Sequence, residues 1–391
     1  MKRKATIVCG GVAALVAATA GVSAAQGTAA RTAAASQCST KLSVLRPHYA
    51  NPVKRLSGAG STLSGAGSSW AAPYVNLWAT AYAKQGTKVS YQPIGSGGGV
   101  AQIQAQTIDF GASDVPMTPT EQQAAKGGTV LHVPMALGAA VVAYHVKGVG
   151  SGLKFDGETL GRIFSGDIKS WNDSAIRKLN PGVNLPDEPI AVAHRSDGSG
   201  TTNVFTHYLT QTSKTWVSKL GGTKTSQGKV VAWPTGIGGK GNDGVSAVVN
   251  QTEGAIGYVE LQFAEAQHLK YGMVKNSAGT YIKPCPATIT AAANKTFFPP
   301  NLKTFLTNRP GELAYPITGT TYALIYQKQT NAATAKALVN FFSWALTTGQ
   351  NFPASINYAP LGRTLQQRAL AQVGKIELNG KPLVTIPKPT T

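Results

Sequence analysis

Hydrophobic positions along this chain fall into two alternating rhythms. Short apolar runs read as strands: "KVSYQPI" (88–94), "IAVAHR" (190–195) and "AIGYVE" (255–260). The first two are followed by stretches with helical spacing, "GVAQIQAQT" (99–107) and "TTNVFTHYLT" (201–210). This strand–helix alternation predicts an α/β fold with largely parallel sheets. Two longer strand-like segments, "PMALGAAVVAYHV" (134–146) and "YPITGTTYALIYQK" (315–328), lie far apart in the sequence. If both cross between lobes, residues 136–317 form one lobe, and 56–135 with 318–391 form the other. A late helical run, "NAATAKALVNFFSWAL" (331–346), sets Leu338, Phe341, Phe342 and Ala345 on one core-facing stripe.

The N-terminal pattern is different. Lys2, Arg3 and Lys4 precede an apolar run that ends in small residues, with Val22-Ser23-Ala24 as the cleavage site, so residues 1–24 read as a secretory signal. Cys9 lies inside the apolar run after Ile7 and Val8, which is not the setting of a lipid-modified cysteine. Residues 25–55, rich in Ala, Thr, Ser and Gln, have no sustained periodicity and read as a flexible leader, with the fold starting near Leu56. The remaining cysteines, Cys38 and Cys285, can pair in an oxidising compartment, although sequence alone does not bring them within bridging range.

Composition narrows the function classes. At 391 residues, 42% of them hydrophobic and 13% charged, the chain suits two packed lobes rather than a disordered segment. The net charge is +20, three fewer once Lys2, Arg3 and Lys4 leave with the signal, which fits an anionic ligand or an anionic surface. No long Lys/Arg run occurs and no basic stripe is interleaved with aromatics, which argues against nucleic acid. The six histidines lack HExxH or other tight metal spacing, and no cofactor motif stands out.

The candidate chemistry lies in three glycine-serine turns. In "AHRSDGSGTTNVF" a strand delivers Arg195 into a glycine turn that opens a helix, where unpaired N–H groups, Ser199, Gly200 and Thr201 can meet an oxyanion. Asp197 is placed to hold the Arg195 guanidinium. "PIGSGGGVAQIQAQ" repeats the design around Ser96, and "GAGSSWAAPYVNLW" offers Ser68 and Ser69 with Trp70 as a wall. Each turn alone is equally well an ordinary capped βα turn; together they point to an anion cage. In "IDFGASDVPM", Asp114 is either a local cap or an acceptor for an O–H on the anion, and the second use would select phosphate over sulfate.

These segments, with "TLGRIFSGDIKSWND", "GKGNDGVSAVVNQTEGAIGYVE" and "YPITGTTYALI", resemble in order the signatures of PstS-type phosphate-binding proteins, the receptors of phosphate ABC transporters, from about Gly65 to Leu361. The resemblance implies a two-lobed periplasmic-binding-protein fold with two hinge strands and a ligand cleft between the lobes. It implies phosphate as ligand, permease subunits as partners, a monomer, and an extracytoplasmic, cell-surface location. The binding set it implies is Ser69, Trp70, Ser96, Asp114, Arg195, Ser199, Gly200 and Thr201, with Asp197 pairing the arginine. The common family pattern has threonine and phenylalanine at the first two positions. The upstream copy "GAGSTL" carries Thr62 and Leu63, but "AAPYVNLW" favours Ser69 and Trp70.

Two rival functions stay open: a secreted phosphate-ester hydrolase of the same fold, with Ser199 beside His194, and a basic wall-binding protein. "DGSGT" is not the GxSxG nucleophile elbow, which weighs against the first. "GIGGKG" (236–241) fits GxGxxG formally, but Pro234 precedes it where a strand is needed, so it reads as a loop into a helix and not a nucleotide site.

Overall fold

The structure, a computed structural model, describes residues 37–38 and 51–386; the signal segment 1–24 and most of the 25–55 leader lie outside them. Nine strands form the main sheet: β1 (Thr62–Gly67), β2 (Lys88–Gln92), β3 (Phe110–Ser113), β4 (Val130–His145), β5 (Ala191–Arg195), β6 (Ile237–Gly239), β7 (Ala255–Glu260), β8 (Lys270–Tyr271) and β9 (Thr318–Tyr326). Their order is β2-β1-β3-β9-β4-β7-β5-β6, with β8 also on β4. The helices that matter for the site are α1 (Ala72–Ala83), α2 (Ser96–Ala105), α3 (Gly200–Thr212), α4 (Gly241–Gln251), α5 (Ala332–Ala345) and α6 (Arg363–Val373).

Each end of the sheet is parallel, as the strand–helix alternation predicts: β1 with β2 and β3, and β5 with β6 and β7. The middle departs from that expectation. There β9 runs antiparallel to both β3 and β4, and β4 runs antiparallel to β7. The reason is the length of β4. Its Val130–Ala139 portion pairs with β9 and its Ala140–His145 portion with β7, so one strand belongs to both halves. The two sets of pairs meet between Ala139 and Ala140. All of β4 but His145 is buried, which explains its unbroken apolar run.

A β-bulge marks the crossing. Thr321 pairs with Ala136 and Tyr322 with Pro134, leaving Met135 as the extra residue. Pro134 has no N–H to give to a ladder, and bulges are where strands tolerate it. The Met135 carbonyl freed by the irregularity accepts from Gln350 Nε2 at 2.9 Å.

The Leu338-Phe341-Phe342-Ala345 stripe of α5 is buried, but so are Ala337, Val339 and Ser343 on its other sides. The helix is enclosed because the chain before β1 closes over it: Asn340 Oδ1 accepts from Leu56 N (2.8 Å) and its Nδ2 donates to Leu56 O (3.0 Å). Val53 is also buried, so the packed chain begins before Leu56. Cys38 is joined to Cys285 with Cα atoms 6.0 Å apart, and the neighbouring Gln37 side chain bonds Tyr281 O and Lys283 N. Part of the segment read as a flexible leader is thus fixed to the body. Among the described residues no helix is long and apolar enough to cross a membrane, and no group of three or more His, Cys, Asp or Glu is placed to hold a metal.

Candidate functional site

Two sets of strand ends and helix starts face each other across the β4–β9 crossing. From the first half come Ser68 and Ser69 after β1, Ser96 opening α2, and Asp114 after β3. From the second come Arg195 ending β5, Asp197, and Ser199 capping α3. The cap itself is regular: Ser199 is extended, and its Oγ accepts from Thr202 N at 3.0 Å. In the first turn of α3 the amides of Gly200 and Thr201 have no intrahelical acceptor, so they are available to an anion.

Close approach explains two of the glycines. Gly95, the N-cap of α2, has φ +85°, and a Cβ there would collide with Asp197 Oδ2 of the opposite half. A Cβ on Gly200 would stand 2.5 Å from Ser96 Oγ and 2.6 Å from Asp114 Oδ2. The start of α3 is therefore pressed directly onto the Ser96–Asp114 pair. A backbone bond, Gly97 N to Gly198 O at 2.8 Å, joins the two turns.

Asp114 is buried and accepts from three hydroxyls: Ser68 (2.5 Å) and Thr321 (2.7 Å) at Oδ1, and Ser96 (3.3 Å) at Oδ2. Burial pushes its carboxyl up, while Ser68, Thr321, the Arg195 charge and Ser96 pull it back. Oδ2, with one long bond, is the oxygen that faces α3.

Arg195 is held from below. Its Nε donates to Asp197 Oδ1 (2.7 Å) and its Nη2 to Asp197 Oδ2 (2.5 Å), a forked pair whose arginine side chain is only 2% exposed. Nη1 donates to Thr201 Oγ1 at 3.3 Å. Of the five N–H groups a guanidinium carries, two remain for a ligand. Burial pushes the Asp197 carboxyl up, but Arg195 and the Gly241 N–H outweigh it and hold the group below its ordinary range.

Trp70 is buried, and its indole is seated over the paired glycines Gly138 and Gly319 of the two long strands, rather than forming the wall expected of it. Thr62 lies at the opposite end of β1 from Ser69 and is exposed. The six-residue strand between them is itself roughly 16 Å long. Ser69, not Thr62, is the residue brought to the cluster.

Sequence reading left three participants out of the binding set. Thr321 was absorbed into a hinge strand, and Ser68 was set aside for its neighbour. The third, Asn242, directly follows the segment read as a loop into a helix. "GIGGKG" contains a real three-residue strand, β6, paired with β5 at the sheet edge, and it leads straight into α4. The amides at the start of α4 are engaged by protein: Gly241 N donates to Asp197 Oδ1 (3.0 Å) and Asn242 N to Ser69 Oγ (3.2 Å). The Asn242 side chain, fully buried, donates to Ser69 Oγ (3.0 Å) and Thr201 Oγ1 (3.3 Å) and accepts from Glu260 N (2.9 Å). A glycine after a strand, followed by a polar residue at the second helical position, was the available signal.

Ser199 Oγ accepts from Thr202 N, and among the described residues no histidine or carboxylate is bonded to it. The His194 ring stacks on Trp233 at 5.0 Å, and its Nδ1 lies 3.1 Å from the Arg195 carbonyl. Glu260, the acid at the spacing a ribose contact would need, is buried, with Oε2 capping Gln262 N at 2.8 Å.

The chain matches the family model of the PBP superfamily domain over residues 22–346. It is 42% identical over 304 residues to the phosphate-binding protein PstS of Xylella fastidiosa (strain 9a5c), covering 76% of this chain and 81% of that one. Against the PstS of Pasteurella multocida (strain Pm70) the identity is 41% over 321 residues, covering 81% and 91%. Among solved structures, a phosphate-binding protein from Stenotrophomonas maltophilia superposes with a TM-score of 0.63 at 18% identity, covering 80% of this chain and 94% of that chain, a likeness of fold.

Proposed function

The chain belongs to the periplasmic-binding-protein superfamily and, within it, to the PstS-type phosphate-binding proteins, and from that premise we propose that it captures one inorganic phosphate between the two halves of its sheet for delivery to an ABC permease. The observation that carries this reading is the meeting of opposite chemistries across the β4–β9 crossing. A permanent charge and a helix N-terminus come from one side, and a buried carboxylate acceptor from the other. The phosphate ligands on this reading are Ser69, Trp70, Ser96, Asp114, Arg195, Ser199, Gly200 and Thr201, with Asp197 holding the arginine. The lobes on this reading are residues 56–135 with 318–391, and 136–317; β4 pairing with β9 on one side and β7 on the other supports two halves. The protein works as a monomer outside the cytoplasm.

The chemistry follows from donor counting. A phosphate dianion offers many acceptor sites and one proton. Arg195, the α3 amides and the hydroxyls satisfy the acceptors without a solvent-exposed counter-ion. Asp114 Oδ2 takes the proton. Sulfate brings no proton at neutral pH and would set an oxygen lone pair against that carboxylate. The hydrolase alternative is not favoured, since among the described residues no base is hydrogen-bonded to Ser199 Oγ, and wall attachment through basic side chains is compatible with the receptor role.

Calorimetry on protein stripped of endogenous phosphate tests the reading. One-to-one binding at micromolar affinity or tighter, about −8 kcal/mol or better, is expected. Absence of both heat and thermal shift at millimolar phosphate sinks it.

A further inference from the structure

Hydroxyl groups can donate or accept, so a cage built from serines and threonines has no fixed polarity until something assigns the protons. We propose that Asn242 makes that assignment: it is a positioning residue that locks the Ser69 and Thr201 hydroxyls as donors to the bound anion.

The amide's own orientation is settled by Glu260. The backbone N–H at the end of β7 donates to one end of the Asn242 side chain at 2.9 Å, so that end is Oδ1 and the other is the NH2 group. The two Nδ2 protons then go to Ser69 Oγ (3.0 Å) and Thr201 Oγ1 (3.3 Å). A hydroxyl oxygen accepts two hydrogen bonds. Ser69 Oγ receives its second from Asn242 N (3.2 Å), and Thr201 Oγ1 its second from Arg195 Nη1 (3.3 Å). With both acceptor sites filled, the remaining capacity of each oxygen is its own O–H, which must point to an acceptor. None is supplied by the amide, the arginine or the helix amide around them.

The surroundings of Asp114 show the contrast. There Ser68 and Thr321 give their protons to Oδ1 at 2.5 and 2.7 Å, and Ser96 makes only a long contact to Oδ2 at 3.3 Å. The first two hydroxyls are committed to the carboxylate, while the two gripped by Asn242 are reserved for the ligand. Because Ser69 and Thr201 come from different halves of the sheet, one neutral side chain also ties those halves together at the anion.

The proposal rests on the phosphate reading, and the test separates the two. Phosphate affinity is measured by calorimetry for the parent, Asn242→Ala, Ser69→Ala and the double variant, with unliganded melting curves to establish folding. Asn242→Ala is expected to bind about tenfold to a hundredfold more weakly, the effect of losing buried donors. In the Ser69→Ala background the same change should cost several-fold less, because half of its action is already gone. An equal loss in both backgrounds means that Asn242 only fills space and overturns the proposal. If Asn242→Ala does not melt cooperatively, Asn242→Ser, which keeps a polar group but is too short to hold both hydroxyls, runs the same cycle and is read the same way. Failure of the parent itself to bind phosphate rejects the receptor reading instead.

Discussion

On the proposed reading, the two halves of the cage bring unlike instruments to the same ligand. The second half, at β5 and α3, supplies charge: Arg195 neutralised from below by Asp197, and a helix start with free amides. The first half, at β1, β3 and α2, supplies a buried carboxylate already accepting three hydroxyls. Charge attracts any tetrahedral dianion, and only the carboxylate asks whether that anion carries a proton. Affinity and selectivity are therefore separable, and substitutions on the two sides should produce different symptoms.

The largest effect is expected on selectivity. In Asp114→Asn an amide that donates as well as accepts replaces the carboxylate, so sulfate loses its clash and phosphate loses its dedicated acceptor. The phosphate-to-sulfate ratio should fall by several orders of magnitude, toward the ~10⁴ that a mismatched buried polar group commonly imposes. Competition titrations decide it, and an unchanged ratio removes Asp114 from the mechanism.

On the opposite side the symptom is lost affinity without a change of preference. Arg195→Ala should weaken phosphate and sulfate together by about 2–5 kcal/mol, the usual cost of removing one partner of a buried charged pair. Arg195→Lys keeps the charge but cannot fork to Asp197, and should fall between. Were Arg195→Ala to alter the phosphate-to-sulfate ratio as strongly as Asp114→Asn, the division of labour would be wrong.

This division was only partly legible in the sequence. Arg195, Asp197 and Ser199 lie within one short turn, so local pattern sufficed to join them. The first half is assembled by contacts that no local rhythm encodes. Thr321 reaches Asp114 across 207 positions, and Asn242 reaches Ser69 across 173. The hinge strands were visible as long apolar runs because both their faces are buried. Their antiparallel pairing, and the bulge at Pro134 beside Thr321, follow from how the chain crosses itself and not from hydrophobicity. Trp70 read as a ligand wall because it follows the serines, yet the glycines that receive its ring stand at 138 and 319.

A second buried acid sharpens the comparison. Asp114 has three donors, whereas Glu260, in the second half, has a buried Oε1 with no hydrogen-bond partner among the described residues. Burial pushes the Glu260 carboxyl well above its ordinary value of 4.5. In the unfolded chain it ionises near 4.5, while in the fold it keeps its proton to higher pH. Between those two values the native state binds more protons, so stability falls as pH rises through that window. Glu260→Gln removes the ionisation. It should be more stable than the parent at neutral pH, with the difference disappearing below about pH 4.5. Melting curves across pH would show a constant offset if the acid were charged in the fold.

The smallest effect tests whether the halves are also held together away from the ligand. Lys229 Nζ and Glu121 Oε1 approach to 2.5 Å, with side chains 11% and 26% exposed, and they come from opposite sides of the cleft. Neither is free to drift. Glu121 is fixed by a capping box with Thr118, and the Lys229 backbone carbonyl accepts from Ser199 N at 2.8 Å. The pair exists only while the halves are apposed, so it favours the closed arrangement without touching the anion. A partly exposed pair of this kind contributes at most about 1 kcal/mol and is screened by salt. Glu121→Gln should therefore raise the phosphate dissociation rate by at most about fivefold, with association nearly unchanged, because the contact forms after encounter. The parent's dissociation rate should rise with added salt toward that of the variant, whose own rate stays flat. A variant that slows association instead would place Glu121 on the entry path of the anion rather than on the closed state.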